Sequence, residues 1–452
     1  YDIRGIVGDQ LTDETVVKVT RAIGTFFAQN NARIIAVGYD ARESSRRFYA
    51  MLTEALLASG CQVVQIGMVP TPVLYHTVHT KQVDGGVMIT GSHNPPNHNG
   101  FKIALGTNTL FGEQIQAIKR IALDSAAQAE TRRLGSVSKI AVLDDYISDI
   151  TAKLNFGARK LKTVVDGGNG MGGVTAVPVY EKLGVELIKL YTEPDSTFPN
   201  HHPDPTVAAN LQDVIAAVRE HDADVGLAFD GDGDRIGVVD ETGRIIWGDE
   251  LMILLSREIL AVHPGSTIIA EVKCSQTLFD DIELRGGTAV MERAGHSIIK
   301  SAMKHTGAKL AGEMSGHIFF ADRFYGFDDA TYAGARLLEI LSKTDKPLSR
   351  LFEGIPQTFS TPELRVDCPD SIKFDVVERV ADHFAQTHKV ITIDGARITF
   401  NHGWGLVRAS NTQAILVLRF EADSPENLAA IRSKVEPFVG STVQKLETEA
   451  HS

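Results

Sequence analysis

Cysteine is scarce in this chain. Cys61, Cys274 and Cys368 stand far apart in 452 residues, an odd number with no CxxC or zinc-type spacing among them. That argues against a disulfide framework, and a reducing cytoplasm is the expected compartment. Long apolar runs are missing too. The longest, around Leu251–Leu255, falls far short of the ~20 residues that a membrane-spanning helix needs, so no membrane partner is expected. Nothing near the start resembles a secretory leader, although the chain opens on Tyr1 and not on methionine. Positive charge is in deficit: 45 Lys and Arg face 57 Asp and Glu, for a net charge of −12. This disfavours a nucleic-acid partner. An anionic ligand would need a local gathering of Arg and Lys on an acidic body.

What is present is ordinary for a globular protein, with 43% hydrophobic and 23% charged residues. The length suggests about three domains at ~150 residues each. Short apolar strands alternate with helix-period segments through the first three quarters. Strands are predicted at Ile34–Tyr39, Gln62–Ile66, Val87–Thr90, Thr163–Asp166, Leu187–Tyr191, Val225–Phe229, Ile236–Val239 and Thr267–Val272. Helices are predicted at Glu14–Phe27, Phe48–Ala58, Leu211–Glu220, Glu250–Val262 and Thr331–Ser342. This alternation predicts α/β architecture with largely parallel sheets. Beyond Pro362 the rhythm changes to that of a smaller α+β unit. Composition places boundaries so that the units run 1–137, 138–241, 242–355 and 356–452. GYDAR, VVDGGNG and AFDGDGDR each end a strand in Asp, which hints at repeated α/β units.

One stretch carries an unusual density of carboxylates. FDGDGDR sets Asp230, Asp232 and Asp234 at alternate positions, on one side if the chain is extended. Three carboxylates that close repel one another unless a cation sits among them. Oxygen-only ligands suit a hard ion, Mg²⁺ or Ca²⁺. The run Asp230–Glu241 fits an EF-hand loop at its first, third, fifth and twelfth positions but has Arg235 where that loop needs glycine, and strands flank it. A solvated acidic turn is the plainer alternative, weakened by the apolar strands on both sides.

A second stretch, GGVMITGSHNPPNHNGFKI from position 85, holds Ser92 where a strand becomes a loop stiffened by prolines. No GxSxG elbow surrounds it. A hydrolase triad using His93 stays open, although adjacent side chains rarely face each other usefully. Taken alone, the loop reads equally well as a polar turn. A serine, a carboxylate cluster and nearby cations together point to phosphoryl chemistry, in which metal and cations neutralise the transferring group.

Four stretches then fall into a familiar order. TGSHNPPNHNGFK at 90–102, FDGDGDR at 229–235, GEMSGH at 312–317 and RASNT at 408–412 resemble the four signatures of the α-D-phosphohexomutases. YDIRG at 1–5, GMVPTP at 67–72 and PNHHPDP at 199–205 extend the likeness over nearly the whole chain, which is most similar to the bacterial phosphomannomutase/phosphoglucomutase branch. The resemblance implies three similar α/β domains with mixed sheets, plus a smaller C-terminal α+β domain, around a central cleft. It implies reversible phosphoryl transfer between C1 and C6 of glucose and mannose phosphates, through a phosphoserine at Ser92 and a hexose 1,6-bisphosphate. Mg²⁺ would be held by Ser92, Asp230, Asp232 and Asp234. Arg4, Lys102 and Arg235 would balance charge, Arg4 and Lys102 could also assist proton movement, and His93 would orient the loop or contact phosphate. Tyr1, Lys273, Gly295, His296, Glu313, Ser315, His317, Arg408, Ser410, Asn411 and Thr412 would meet the sugar or its phosphate. Arg408 and Ser410–Thr412 are expected to form a donor-rich turn.

The partners so implied are small hexose phosphates, met by a monomer. Rival readings are a phosphoglucosamine mutase, a phosphoserine-using sugar phosphatase and a non-catalytic sugar-phosphate binder. The EMS triplet at 313–315 argues mildly against the first. His201 and His202 could suggest zinc, but adjacent histidines point apart and no ligand set accompanies them.

Overall fold

A computed structural model of the chain describes residues 2–124, 135–410 and 414–450. It forms four sheet-centred units. The first sheet has seven strands, with spatial order Ile3–Ile6, His98–Leu105, Gly85–Ile89, Ile34–Tyr39, Gln62–Met68 and Val137–Lys139, while Asn108–Thr109 pairs with His98–Leu105. The second orders Ile245–Ile246, Ile236–Asp240, Val225–Phe229, Lys162–Asp166 and Glu186–Leu190. The third orders Thr288–Glu292, Thr267–Glu271, Leu310–Gly312 and Ile318–Phe320. The fourth is wholly antiparallel, with Gly403–Ala409 and Ile415–Ala422 at its centre.

The first three sheets share one plan of parallel strands beside an antiparallel hairpin, which Ile3–Ile6 and Asn108–Thr109 extend in the first sheet and Ile245–Ile246 in the second. The hairpins are Gly85–Ile89 with His98–Leu105, Val225–Phe229 with Ile236–Asp240, and Leu310–Gly312 with Ile318–Phe320. The sheets are therefore mixed, and less parallel than the strand–helix alternation suggests. Two expectations change here. The serine stretch is a loop only as far as Asn97, since His98 already pairs with Ile6. GYDAR and VVDGGNG close parallel strands whereas AFDGDGDR opens a hairpin, so the three are not equivalent positions of a repeat.

Helices cover these sheets because their apolar residues recur at helical spacing. Asp13–Gln29 is capped by the Thr12 hydroxyl, which accepts from the Thr15 N–H, and it buries Val16, Ile23 and Phe27 against the first sheet. A continuous core runs from Leu74 and Tyr75 through Tyr146 and Tyr180 to Leu337 and Leu341, so the first three units are packed against one another. The fourth has a core of its own. It meets the third through polar contacts and an apolar cluster: Arg397 donates to the carbonyls of Val272 and Cys274, Arg419 donates to the Lys273 carbonyl, and Trp404 and Leu406 pack with Val272. Pairing also outruns two compositional boundaries. Val137–Lys139 joins the first sheet past 137, and Ile245–Ile246 joins the second past 241. All three cysteines are free and buried. Among the described residues no helix is long and apolar enough to cross a membrane.

Candidate functional site

The first three quoted signatures each sit at the tip of a hairpin, and those tips meet. Ser92 follows the fully buried strand Gly85–Ile89. Its N–H donates to the Thr90 hydroxyl at 2.8 Å, and its backbone is left-handed, with φ +49°. The Ser92 hydroxyl donates to Asp230 Oδ2 at 3.0 Å and lies 3.1 Å from His93 Nδ1. Ser92 and His93 thus face each other despite being adjacent, because the left-handed residue turns both side chains inward. Burial, with Arg235 and Arg4 nearby, holds the His93 imidazole well below its usual range and therefore neutral.

Asp230, Asp232 and Asp234 converge for a different reason from the one that alternation suggests. The loop is a tight turn, closed by the Gly233 N–H on the Asp230 carbonyl at 3.1 Å. Gly231 is needed there, since a Cβ would come within 2.4 Å of the Ser92 carbonyl oxygen. Asp230 Oδ1 accepts from the N–H groups of Asp234 and Arg235 at 3.0 and 3.1 Å. Asp232 Oδ2 accepts from Lys102 Nζ at 2.7 Å and from the Thr71 hydroxyl at 2.5 Å, and Asp234 Oδ2 accepts from the same ammonium at 2.5 Å. All three carboxylates are fully buried, with ligand oxygens within 4.8 Å of one another.

Burial raises Asp230 well above the usual carboxylate range, and the charges of Asp234 and Asp232 push it further the same way. For Asp234 burial is outweighed by Lys102 and then His317, which hold it well below that range. Asp232 Oδ1 is buried with no hydrogen-bond partner among the described residues. Three converging oxygen ligands, one with an orphaned atom, fit a hard divalent cation.

The third tip joins this cluster through His317. The Ile236 N–H donates to the Gly316 carbonyl at 3.1 Å, and Arg235 and His317 form an antiparallel bridge. His317 Nδ1 donates to Glu313 Oε2 at 2.8 Å, and Nε2 donates to Asp234 Oδ1 at 3.2 Å. Burial would lower its pKa, but Asp234 and Glu313 raise it to about 9. Glu313 is brought to about 2 against its own burial, chiefly by His317. Both ring nitrogens of the imidazolium are committed as donors. Arg235, whose Nε lies 3.3 Å from Nε2, is therefore a like charge beside it. His317 contributes stability that is full below its unfolded value and lost as pH rises through about 9. In chelator, His317→Gln should therefore cost at least about 1 kcal/mol more at pH 6 than at pH 10 by denaturant unfolding. An equal or larger cost at pH 10 would contradict this charge assignment.

The other predicted residues fall into two groups. Arg4 stands at the edge of the site, donating to Asn94 Oδ1 at 2.8 Å and to Asp2 at 2.9 Å. Asp2 reaches His296 Nε2 at 3.2 Å, and the Gly295 N–H donates to Glu313 Oε1 at 2.6 Å, so the 295–296 loop abuts both. Ser315 Oγ lies 3.3 Å from His317 Nδ1. Lys273 is farther out, paired with Glu363 at 2.8 Å across to the fourth unit. Arg408 belongs to the strand Gly403–Ala409 and not to a turn, and pairs with Asp394 at 3.0 Å. The Ser410 N–H closes that hairpin on Ile415. Tyr1, Asn411 and Thr412 lie outside the described residues.

Several site residues were not singled out by sequence. Thr71 lies within GMVPTP and Asp2 within YDIRG, so those motifs held the signal. Asp328, fully buried and 2.8 Å from Lys300 Nζ, carries no motif of its own. His201 and His202 do diverge: His201 pairs with Asp166 at 2.9 Å, and the His202 ring donates to the His93 carbonyl.

Known proteins resemble this chain over nearly its whole length. The descriptions of the phosphoglucomutase/phosphomannomutase alpha/beta/alpha domains I, II and III match residues 1–129, 144–243 and 247–359, and that of the C-terminal domain matches 363–437. A phosphomannomutase/phosphoglucomutase from Pseudomonas putida is 48% identical over 96% of this chain and 93% of its own. A phosphoglucomutase from Neisseria gonorrhoeae is 46% identical over 98% and 96%. The crystal structure of a phosphoglucomutase/phosphomannomutase family protein from Burkholderia thailandensis superposes with a TM-score of 0.91 at 42% identity, covering 98% of this chain and 96% of that one.

Proposed function

The chain belongs to the phosphoglucomutase/phosphomannomutase family of α-D-phosphohexomutases and is a hexose-phosphate mutase; from that premise we propose that Ser92 carries the phosphoryl group between C1 and C6 of glucose and mannose phosphates. The observation that supports this most directly is the Ser92 hydroxyl, 3.0 Å from Asp230 within the carboxylate cluster.

Ser92, Asp230, Asp232 and Asp234 would hold Mg²⁺. When bound, the ion supplies charge neutralisation to a transferring phosphoryl group. A phosphoserine adds about −1.5 to −2 charge, so Lys102, whose ammonium already bridges Asp232 and Asp234, keeps the cluster from excess negative charge. In transfer, the sugar hydroxyl oxygen forms the new P–O bond as the bond to Ser92 Oγ breaks, and the hydroxyl proton leaves to a neighbouring base. The resulting hexose 1,6-bisphosphate returns its other phosphoryl group to Ser92 after turning end for end. Glu313, ionised and facing the 295 loop, would accept from sugar hydroxyls with the lone pairs left by its two donors. A site that grips O3 and O4 tolerates the C2 epimers, glucose and mannose. Arg408 and Ser410 would take the distal phosphate. The fourth unit, with a core of its own, suits a part that closes and excludes water.

All the proposed site loops come from one chain, which supports a working monomer, and three buried free thiols support a reducing cytoplasm. Two measurements test the proposal. Incubation with glucose 1,6-bisphosphate should add one phosphoryl group, mapped to Ser92 by mass spectrometry. Chelation should lower the interconversion of glucose and mannose 1- and 6-phosphates by at least about a hundredfold, with Mg²⁺ restoring it. Phosphate release outpacing isomerisation would favour a phosphatase, and stronger turnover of glucosamine 1-phosphate would move the substrate to amino sugars.

A further inference from the structure

The carbonyl groups of the serine loop are gathered onto one side chain. Arg42, 2% exposed, lies fifty positions before Ser92, and its terminal nitrogens donate to four carbonyl oxygens of the loop. Nη2 donates to the carbonyls of Ser92 and Asn94 at 2.6 Å each, and Nη1 to those of Pro95 at 2.6 Å and His98 at 3.0 Å. The guanidinium is itself fixed. Asp40 Oδ2 lies 3.3 Å from its Nε and also accepts from the Gly91 N–H at 3.2 Å, while Asp40 Oδ1 takes the Arg42 N–H at 3.0 Å and the Ser45 hydroxyl at 2.5 Å. Above it lies the Phe198 ring of the second unit at 5.4 Å, and His202 from the same PNHHPDP segment donates to the His93 carbonyl.

We propose that Arg42 is a positioning residue for phosphoryl transfer: by collecting those carbonyls it holds Ser92 left-handed, with Oγ aimed at Asp230. The chemical half of this rests on the reading of Ser92 as the phosphoryl carrier. Four carbonyl oxygens turned to one side would repel one another without a cation between them. Only a planar fork of donors reaches all four, so lysine, with one nitrogen, cannot replace it. The geometry also explains Gly91, where a Cβ would lie 2.6 Å from the guanidinium carbon. Arg42 makes no hydrogen bond to Asp230, Asp232 or Asp234, although its charge is felt by Asp232; Arg42→Lys keeps that charge and so isolates what the fork of donors does for the loop backbone.

Arg42→Lys should therefore lower kcat about a hundredfold and leave KM for glucose 1-phosphate within about threefold. Amide hydrogen exchange over residues 91–97 should rise at least tenfold, with the flanking strands Gly85–Ile89 and His98–Leu105 unchanged. Gly91→Ala keeps the charge and displaces the guanidinium, so it should give the same pattern and serves if Arg42→Lys fails to fold. The inference is overturned if both folded variants keep kcat within twofold, or if faster exchange spreads over the whole first sheet. If wild-type Ser92 takes up no phosphoryl group, the carrier reading fails, while the exchange measurement still decides whether Arg42 holds the loop.

Discussion

Ser92→Ala should lose at least about 10⁴-fold in kcat/KM for glucose 1-phosphate, equivalent to about 5.5 kcal/mol of transition-state stabilisation. It should also take up no phosphoryl group from glucose 1,6-bisphosphate. The effect is chemical, because the loop does not depend on this hydroxyl for its shape. The Ser92 N–H donates to Thr90 and its carbonyl accepts from Arg42, and alanine keeps both. Alanine and serine are both L-residues with a Cβ, so the φ of +49° strains them alike. What disappears is the oxygen between Asp230 and His93. The melting temperature should therefore stay close to that of wild type. A variant retaining a tenth or more of wild-type mutase activity would overturn the central role given to Ser92.

Lys102→Met is expected to act first on stability. Lys102 stands in the strand His98–Leu105, opposite Met88, with a stem that crosses buried space to reach the aspartate turn. Its ammonium, 2% exposed at the side chain, contacts Asp232 and Asp234 at 2.7 and 2.5 Å. Burial alone would lower its pKa, but those two carboxylates hold it well above the usual lysine range. Methionine of similar length fills the space and leaves the carboxylates without their shared cation. Breaking a buried charge set by removing one partner costs about 3–5 kcal/mol, and that is the loss expected in chelator. Added Mg²⁺ binds the folded state and restores stability by mass action, so the variant's midpoint should climb more steeply with Mg²⁺ than the wild type's. Equal stability of the two proteins in chelator would show that the cluster is not organised around this ammonium.

The division between what could be read in one dimension and what could not follows a physical line. Strand and helix positions were legible because burial imposes periods of 2 and 3.6 on apolar residues, and the strands at Ile34–Tyr39 and Val225–Phe229 fall where alternation and length place them. The chemistry-bearing stretches were legible because a metal-capable turn needs three acids and two small residues within five positions. The hairpin partner of the serine strand was not: His98–Leu105 is polar at its start, and its pairing is set by the neighbouring strands. Alternation brought the right aspartates to attention for the wrong reason, since a turn and not a strand gathers them.

By itself, then, the sequence determined the family, the order of the units and the residue types that carry the chemistry, all of them properties of short contiguous segments. Only the tertiary structure decided which groups meet: Lys102 with Asp232 and Asp234, His317 with Asp234, and Arg42 with the carbonyls beyond Ser92. Those contacts join residues 50 to 132 positions apart. They exist because three hairpins of one plan are packed tip to tip around a shared core, and no local backbone preference encodes that meeting.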